Sequence, residues 1–103
     1  MKSITTDELK NKLLESKPVQ IVDVRTDEET AMGYIPNAKL IPMDTIPDNL
    51  NSFNKNEIYY IVCAGGVRSA KVVEYLEANG IDAVNVEGGM RAWGDEGLEI
   101  KSI

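Results

Sequence analysis

A nearly unbroken apolar run, NEIYYIV at residues 56–62, limits the fold of this chain more than any other segment. A strand with one solvated face alternates apolar and polar residues, whereas a parallel strand covered by helices on both faces is apolar throughout. The run ends at the only cysteine, Cys63, and a glycine pair follows shortly after. It therefore predicts the central strand of a mainly parallel sheet.

The rest of the chain alternates between strand and helix patterns. Strand patterns occur at three further places: VQIVDVR (19–25), the stretch around 38–41, and DAVNVEGG (82–89). Helix patterns occur in TTDELKNKLLESK (5–17), TDEETAM (26–32), RSAKVVEYLEANG (68–80) and MRAWGDEGL (90–98). Because short loops join these elements, the pattern predicts a three-layer α/β sandwich with helices on both faces of the sheet.

Local signals mark some of the helix ends. Thr5 followed by Glu8 is a capping-box pattern, which predicts the start of the first helix. Gly80 is a natural stop for the helix that follows the cysteine. Two prolines bracket an irregular or short helical piece at 42–47.

Length and charge narrow the class of protein. A chain of 103 residues fits one domain, which we place at 1–103. Seventeen acidic against eleven basic residues give a net charge of -6, which repels nucleic-acid phosphates and anionic lipid. No stretch reaches the roughly 20 apolar residues of a membrane span, and the first residues lack the core of a signal peptide. We therefore expect a cytoplasmic protein that binds neither nucleic acid nor a membrane directly.

The chain has one cysteine and no histidine, which limits its chemistry. A lone cysteine cannot form an intramolecular disulfide, and without histidine the usual ligands for a transition metal are missing. We expect no metal and no cofactor. Any covalent sulfur intermediate on Cys63 must be resolved by a thiol or another acceptor from outside the fold.

The loop after the apolar run is a candidate active site. Ligands bind at the carboxyl ends of strands in open α/β sheets, which is where Cys63 lies. Gly65 and Gly66 allow a tight turn that brings N–H groups inward, and the next helix start adds partial positive charge. With Arg68 nearby, this setting lowers a thiol pKa without a histidine, so we expect a reactive, exposed thiol. The alternative is that Cys63 is a small buried hydrophobe.

Three segments follow the same order as in one known family: IVDVRTDEETAMGYIPNAKLIP (21–42), CAGGVR (63–68) with the next serine, and VNVEGGMRAW (84–93). The first resembles the Asp–Val–Arg triplet and Gly-His-Ile-Pro-Gly-Ala stretch of rhodanese-type sulfurtransferases. The second resembles their active-site loop, and the third their closing Gly-Gly and Ala-Trp stretch. The resemblance implies a rhodanese-like fold with a parallel five-stranded sheet between helices.

The resemblance also implies roles for individual residues. Cys63 would accept a sulfane sulfur, and the rest of the loop would bind substrate: Ala64, Gly65, Gly66, Val67, Arg68 and Ser69. The fixed charge of Arg68 suits the outer oxygens of an anionic donor. The Ser69 hydroxyl would donate to the sulfur or, as the more usual role, cap its helix. Asp23 and Arg25 would support the site by tying loops near the cleft through charge-assisted hydrogen bonds.

Two residues depart from the family pattern: Tyr34 stands in place of a histidine and Asn37 in place of a glycine. Elsewhere we expect simple structural roles. The acidic run at 26–30 is interpreted as a solvated helix start, where negative charge favours the helix dipole. Trp93 and Met90 are interpreted as core packing.

Loop length favours one chemistry over another. Cys63 to Arg68 spans six residues, as in the family's sulfurtransferases, whereas the loop of related phosphatases and arsenate reductases is one residue longer. Our hypothesis is a sulfurtransferase that moves a sulfane sulfur from a small anionic donor such as thiosulfate to a thiol or cyanide, with a sulfur-relay protein as a further partner. Two alternatives stay open: a non-catalytic binding or thiol-sensing module and, less favoured, a phosphatase or arsenate reductase.

Overall fold

The computed structural model describes residues 1–15, 18–95 and 97–98, and a parallel sheet forms its centre. The five strands are β1 Lys2–Thr5, β2 Gln20–Asp23, β3 Lys39–Leu40, β4 Ile58–Val62 and β5 Asp82–Glu87. Their order across the sheet is β1-β5-β4-β2-β3, and all neighbouring pairs are parallel. The predicted α/β fold with a five-stranded sheet is confirmed, with β4 in the middle.

The helices of the described residues are α1 Thr6–Leu13, α2 Asp27–Thr30, α3 Val67–Ala78 and α4 Gly89–Trp93, with 3₁₀ helices at Met43–Thr45 and Pro47–Ser52. The helices predicted at 5–17 and 90–98 are too long, because α1 ends at Leu13 and α4 at Trp93. Their predicted ranges also include positions 16–17 and 96, which lie outside the described residues. The predicted domain range 1–103 also includes 99–103, which lie outside them too. Within the described part of the chain, no helix is long and apolar enough to cross a bilayer.

The apolar run of β4 exists because both faces of this strand are covered. Tyr59 and Ile61 belong to a cluster that includes Val73 and Leu76 of α3 and Ile46, the residue between the two 3₁₀ helices. Val62 and Tyr60 belong to a cluster with residues of α1 and α4, including Leu9, Met90 and Trp93. The prediction of a strand buried on both faces is confirmed, as is the packing role of Met90 and Trp93.

Strand β1 is missing from the predicted strands. Its four residues show one buried side chain, Ile4, so its sequence carries no strand pattern of its own. Thr5 ends β1 and is also the N-cap of α1, where it exchanges hydrogen bonds with Glu8 as the capping box predicts. The strand forms because its backbone pairs with β5, where Ile4 lies opposite Val86. This contact joins distant parts of the chain and is invisible in a local pattern.

Helix α4 fixes the backbone of the loop that follows β4. The N–H group of Met90 donates to the carbonyl oxygen of Cys63 at 2.8 Å, and that of Arg91 donates to the carbonyl of Ala64 at 3.0 Å. Gly89 makes this approach possible: a Cβ atom there would lie 2.3 Å from the Cys63 oxygen, and its φ is +54°. Only glycine fits both the space and the left-handed backbone.

Gly89→Ala should therefore destabilise the protein strongly, because the new methyl group collides with two backbone carbonyls in a disfavoured conformation. We expect a loss of at least about 3 kcal/mol in the free energy of unfolding. Urea unfolding monitored by tryptophan fluorescence measures it. Gly80→Ala is the control: its φ is +79° and the nearest atom to the added Cβ is the flexible end of the Lys55 side chain at 3.6 Å, so only about 1–2 kcal/mol of backbone strain is expected. Equal losses in the two variants would show that α4 does not hold the loop in this way.

Candidate active site

Cys63 follows the last residue of β4 and lies at the carboxyl end of the sheet, where a ligand site was predicted. Its exposed fraction is 1%, so the expectation of an exposed thiol is wrong. The side chain is enclosed because it belongs to the cluster beneath α3. The sulfur atom is therefore shielded from solvent in this structure.

Three groups of the loop and α3 converge on the sulfur atom of Cys63. The N–H group of Gly66 donates to Sγ at 3.1 Å and that of Ser69 at 3.3 Å. The Ser69 hydroxyl lies 3.2 Å from Sγ, and either atom can be the donor. A sulfur atom surrounded by donors in this way is built to carry negative charge.

Hydrogen bonds to Sγ decide the acidity of the thiol. Burial raises the pKa of Cys63, because the thiolate loses water. The Ser69 hydroxyl and the main-chain N–H groups of Ser69, Gly66 and Gly65 lower it, and their combined effect is larger. The pKa of Cys63 therefore lies below its ordinary value, without any histidine to take the proton.

The other loop residues have distinct surroundings. Gly66 is the N-cap of α3 with φ +103°, a left-handed conformation that turns the chain from strand to helix. The Val67 residue is 71% exposed, so its side chain is in contact with solvent. Ala64 is half-buried, and its carbonyl accepts the bond from α4 described above. Their role in binding substrate stays a prediction.

Arg68 is already paired with an acidic residue. Its Nη1 donates to Glu29 Oε1 at 2.6 Å and its Nη2 to Oε2 at 2.9 Å, a bidentate ion pair across 39 positions of sequence. The interpretation of the acidic run as merely solvated is therefore wrong for Glu29. Binding of a donor anion by Arg68 stays a prediction, and the carboxylate competes for the same guanidinium.

Glu29 also caps α2, so one carboxylate fixes two parts of the site. Its Oε1 accepts from the N–H group of Thr26 at 3.1 Å, while Thr26 Oγ1 accepts from the N–H group of Glu29 at 3.3 Å. The Arg68 guanidinium lowers the pKa of Glu29 to about 2, helped by Thr26 and against a smaller opposing effect of burial. Because its pKa lies so low, Glu29 is charged at neutral pH and holds Arg68 in place.

Asn85 is a site residue that the sequence analysis missed. It lies on β5 and is buried, with its Oδ1 accepting from the Ser69 hydroxyl at 2.5 Å. Its Nδ2 donates to the carbonyl oxygen of Gly66 at 3.3 Å. A polar residue inside the apolar strand DAVNVE was the available signal. The expected capping role of Ser69 is wrong, because its hydroxyl bonds to Sγ and Asn85 while Gly66 caps the helix.

Asp23 and Arg25 form a buried ion pair at the carboxyl end of β2. Arg25 Nη2 donates to Asp23 Oδ2 at 2.8 Å and to the carbonyl oxygen of Gly33 at 2.7 Å. The ion pair thus links the end of β2 to the turn that follows α2, and α2 is the helix that contains Glu29. Their supporting role stays a prediction with which these bonds agree, and within the described residues neither side chain donates a hydrogen bond to Sγ.

The backbone explains one of the two departures from the family pattern. Asn37 has φ +69°, in the left-handed region that glycine adopts freely. Asparagine is the residue that tolerates this conformation best after glycine, so the turn keeps its shape. The N–H group of Ala38 closes this turn onto the carbonyl oxygen of Ile35 at 3.0 Å.

A shallow depression of about 340 Å³ lies beside Arg68 and gives an approach to this side of the fold. It is lined by Arg68, Thr26, Asp44, Val24, Pro42, Met43 and Pro47. Another, of about 400 Å³, lies near the other end of β4, with Lys12, Gln20 and Ile58 among its lining residues, and none of its lining residues belongs to the site around Cys63. Of these two depressions, the one beside Arg68 adjoins the site.

Comparison with known proteins agrees with this geometry. A family model described as "Rhodanese-like domain" matches residues 5–96. A Bacillus subtilis protein named "Putative sulfurtransferase YtwF" is 43% identical over 96 residues, 93% of each chain. An Allochromatium vinosum protein named "Sulfurtransferase" is 37% identical over 98 residues, 94% of this chain and 92% of the other. The crystal structure of a rhodanese-like domain protein from Staphylococcus aureus matches with a TM-score of 0.98 and 99% identity, covering 99% of this chain and 100% of that one.

Ser69→Ala should raise the pKa of the Cys63 thiol, because it removes the hydroxyl that hydrogen-bonds to Sγ. The rate of alkylation by iodoacetamide, followed against pH, should shift to more alkaline values than in the wild type. Ser52→Ala, which removes an exposed serine hydroxyl from a 3₁₀ helix, is the matched control and should leave the profile unchanged. An unshifted profile in Ser69→Ala would mean that the hydroxyl does not stabilise the thiolate.

Glu29→Gln should remove a pH-dependent part of the stability. The pKa of Glu29 falls from 4.5 to about 2 on folding, so its contribution is fully present above pH 4.5 and is lost as the pH falls towards 2. The difference in unfolding free energy between wild type and variant should therefore shrink over this range in urea titrations. Glu28→Gln, which removes a neighbouring exposed carboxylate, controls for net charge. A difference that stays constant down to pH 2 contradicts the pairing with Arg68.

Proposed function

The chain belongs to the rhodanese-like family, and from this premise we propose that it transfers a sulfane sulfur from a donor to a thiophilic acceptor through a persulfide on Cys63. Relatives that carry the name sulfurtransferase support this class of enzyme. The proposal takes residues 1–103 as one rhodanese-like domain. Its finer parts, which are the persulfide, the donor and the acceptor, are argued below from the residues around Cys63.

The single observation that carries the proposal is the ring of hydrogen-bond donors around Sγ. The main-chain nitrogens of Gly66 and Ser69 and the hydroxyl oxygen of Ser69 all lie within 3.3 Å of the sulfur. A thiolate nucleophile and a persulfide anion both need this kind of stabilisation, and main-chain N–H groups supply it without a proton-transfer partner. The chain contains no histidine, so a mechanism that uses a histidine base is not available to it.

In the first step, the Cys63 thiolate attacks the outer sulfur of a donor such as thiosulfate. A bond forms between Sγ and that sulfur while the sulfur–sulfur bond of the donor breaks, and sulfite leaves with the bonding electron pair. The product is a Cys63 persulfide, whose terminal sulfur carries the negative charge. The loop N–H groups that hold the thiolate stabilise this charge as well.

In the second step, an acceptor thiolate or cyanide attacks the terminal sulfur of the persulfide. The bond to Sγ breaks, the electron pair returns to Cys63, and the acceptor leaves as a persulfide or as thiocyanate. No external oxidant or reductant enters this balance, because each step transfers a formally neutral sulfur atom from one nucleophile to another. Since the loop carries no second cysteine, the acceptor comes from outside and a sulfur-relay protein can serve as the partner.

The first experiment measures the intact mass of the reduced protein before and after thiosulfate, with peptide mapping. We expect a gain of one sulfur atom on Cys63, reversed by cyanide with release of thiocyanate. Cys63→Ala should gain no sulfur and lose transfer activity, and the wild type should show ping-pong kinetics. Ser52→Ala, remote from the loop, should behave as the wild type.

Two results would contradict the proposal. One is full transfer activity in Cys63→Ala. The other is a wild type that gains no sulfur from thiosulfate or from glutathione persulfide, which would favour a binding or thiol-sensing module. Hydrolysis of a chromogenic phosphate ester that depends on Cys63 would instead indicate phosphatase chemistry.

A further inference from the structure

The chain contains three arginines, and two of them, Arg68 and Arg91, lie beside the loop that contains Cys63. Arg25 is paired with Asp23, and Arg68 with Glu29. Arg91 forms no ion pair within the residues that the structure describes, and its side chain is exposed. It is therefore the one arginine of the described residues whose charge is not already compensated by a carboxylate.

The position of Arg91 is fixed by the backbone. Its N–H group donates to the carbonyl oxygen of Ala64 at 3.0 Å, one residue after the bond from Met90 to Cys63. Its Nη1 lies 3.1 Å from the place that a Cβ atom on Gly65 would occupy. The guanidinium thus lies against the exposed residue Gly65 on the outer side of the loop, where an added Cβ would be in tight contact with it.

The charges of the protein and of the residues near the loop favour Arg91 as the binding site for an anionic donor. The protein carries a net charge of -6, so a doubly negative donor is repelled at long range. Near the loop, Glu29 offsets the charge of Arg68, and this pair has to open or be shared before Arg68 can hold an anion. Arg91 offers an exposed guanidinium beside Gly65 without breaking a bond, and a guanidinium fits the oxygens of a sulfonate or carboxylate.

We propose that Arg91 binds the anionic group of the incoming sulfur donor at the outer side of the Cys63 loop, while Arg68 is held by Glu29 as part of the scaffold. This inference rests on the proposed function and deepens it, because it assigns recruitment of the anionic donor to a residue on α4 rather than to Arg68.

The test compares two alkylating reagents of similar size, iodoacetate and iodoacetamide, which differ in charge. Both react with the Cys63 thiolate, so burial and the pKa of the thiol affect both rates alike. The ratio of the two rates isolates the attraction of the site for an anion. At low salt, Arg91→Gln should lower the ratio of iodoacetate to iodoacetamide about two- to fivefold, and salt near 1 M should remove the difference.

Two further variants sharpen the comparison. Lys71→Gln removes one exposed positive charge from α3, outside the loop, and should leave the ratio near the wild-type value. Arg91→Lys keeps the charge and should retain most of the wild-type ratio. A similar ratio in Arg91→Gln and Lys71→Gln would overturn the inference, because Arg91 would then act only through net charge.

Kinetics with thiosulfate give the second readout. Arg91→Gln should lower kcat/KM for thiosulfate by at least the factor seen with iodoacetate, because thiosulfate carries two charges, and the loss should appear mainly in KM. A variant with normal kcat/KM would overturn the inference and leave the persulfide chemistry intact. If the wild type forms no persulfide at all, the proposed function fails, and the alkylation ratio still decides whether Arg91 attracts anions.

Discussion

The site depends on one arrangement of backbone hydrogen bonds: α4 binds the carbonyl groups of Cys63 and Ala64 from outside the loop. A loop of a few residues between a strand and a helix has unpaired N–H and C=O groups on both sides. Once α4 satisfies the carbonyls, the N–H groups of Gly66 and Ser69 are directed inward to Sγ. The absence of a side chain at Gly89 makes this close approach possible, so a residue of α4 shapes the environment of the nucleophile.

The charged residues around the loop mainly hold the structure of the site in place. The buried pair of Asp23 and Arg25 and the half-exposed pair of Arg68 and Glu29 link β2, α2 and α3 at one end of the sheet. A buried pair of this kind holds geometry more than it adds net stability, since desolvation offsets much of the attraction. The charges that look catalytic in the sequence are therefore largely engaged with each other.

Much of the fold could be predicted from the sequence, because local signals coincide with tertiary burial. The apolar run that ends at Val62 predicted a strand, and the spacing of apolar residues in α3 predicted a helix. Cys63 was therefore correctly placed in the loop between them. Strand β1 could not be predicted, since only Ile4 is buried and its pairing with β5 joins distant parts of the chain. The contact between Arg68 and Glu29 could not be predicted for the same reason, since 39 positions of sequence separate the two residues. The exposure of Cys63 was misjudged because depth beneath α3 depends on packing and leaves no trace in spacing.

The Ser69 hydroxyl has one proton and two neighbours that can accept it, Asn85 Oδ1 at 2.5 Å and Sγ at 3.2 Å. The bond from Asn85 Nδ2 to the Gly66 carbonyl orients the amide so that its oxygen faces the hydroxyl. When Cys63 is a thiol, its S–H group can donate to Ser69 while Ser69 donates to Asn85, and all three groups are satisfied. When Cys63 is a thiolate, the hydroxyl proton must serve either Sγ or Asn85. Asn85 Oδ1 therefore competes with Sγ for the hydroxyl proton, whereas the main-chain N–H groups of Gly66 and Ser69 both donate to Sγ.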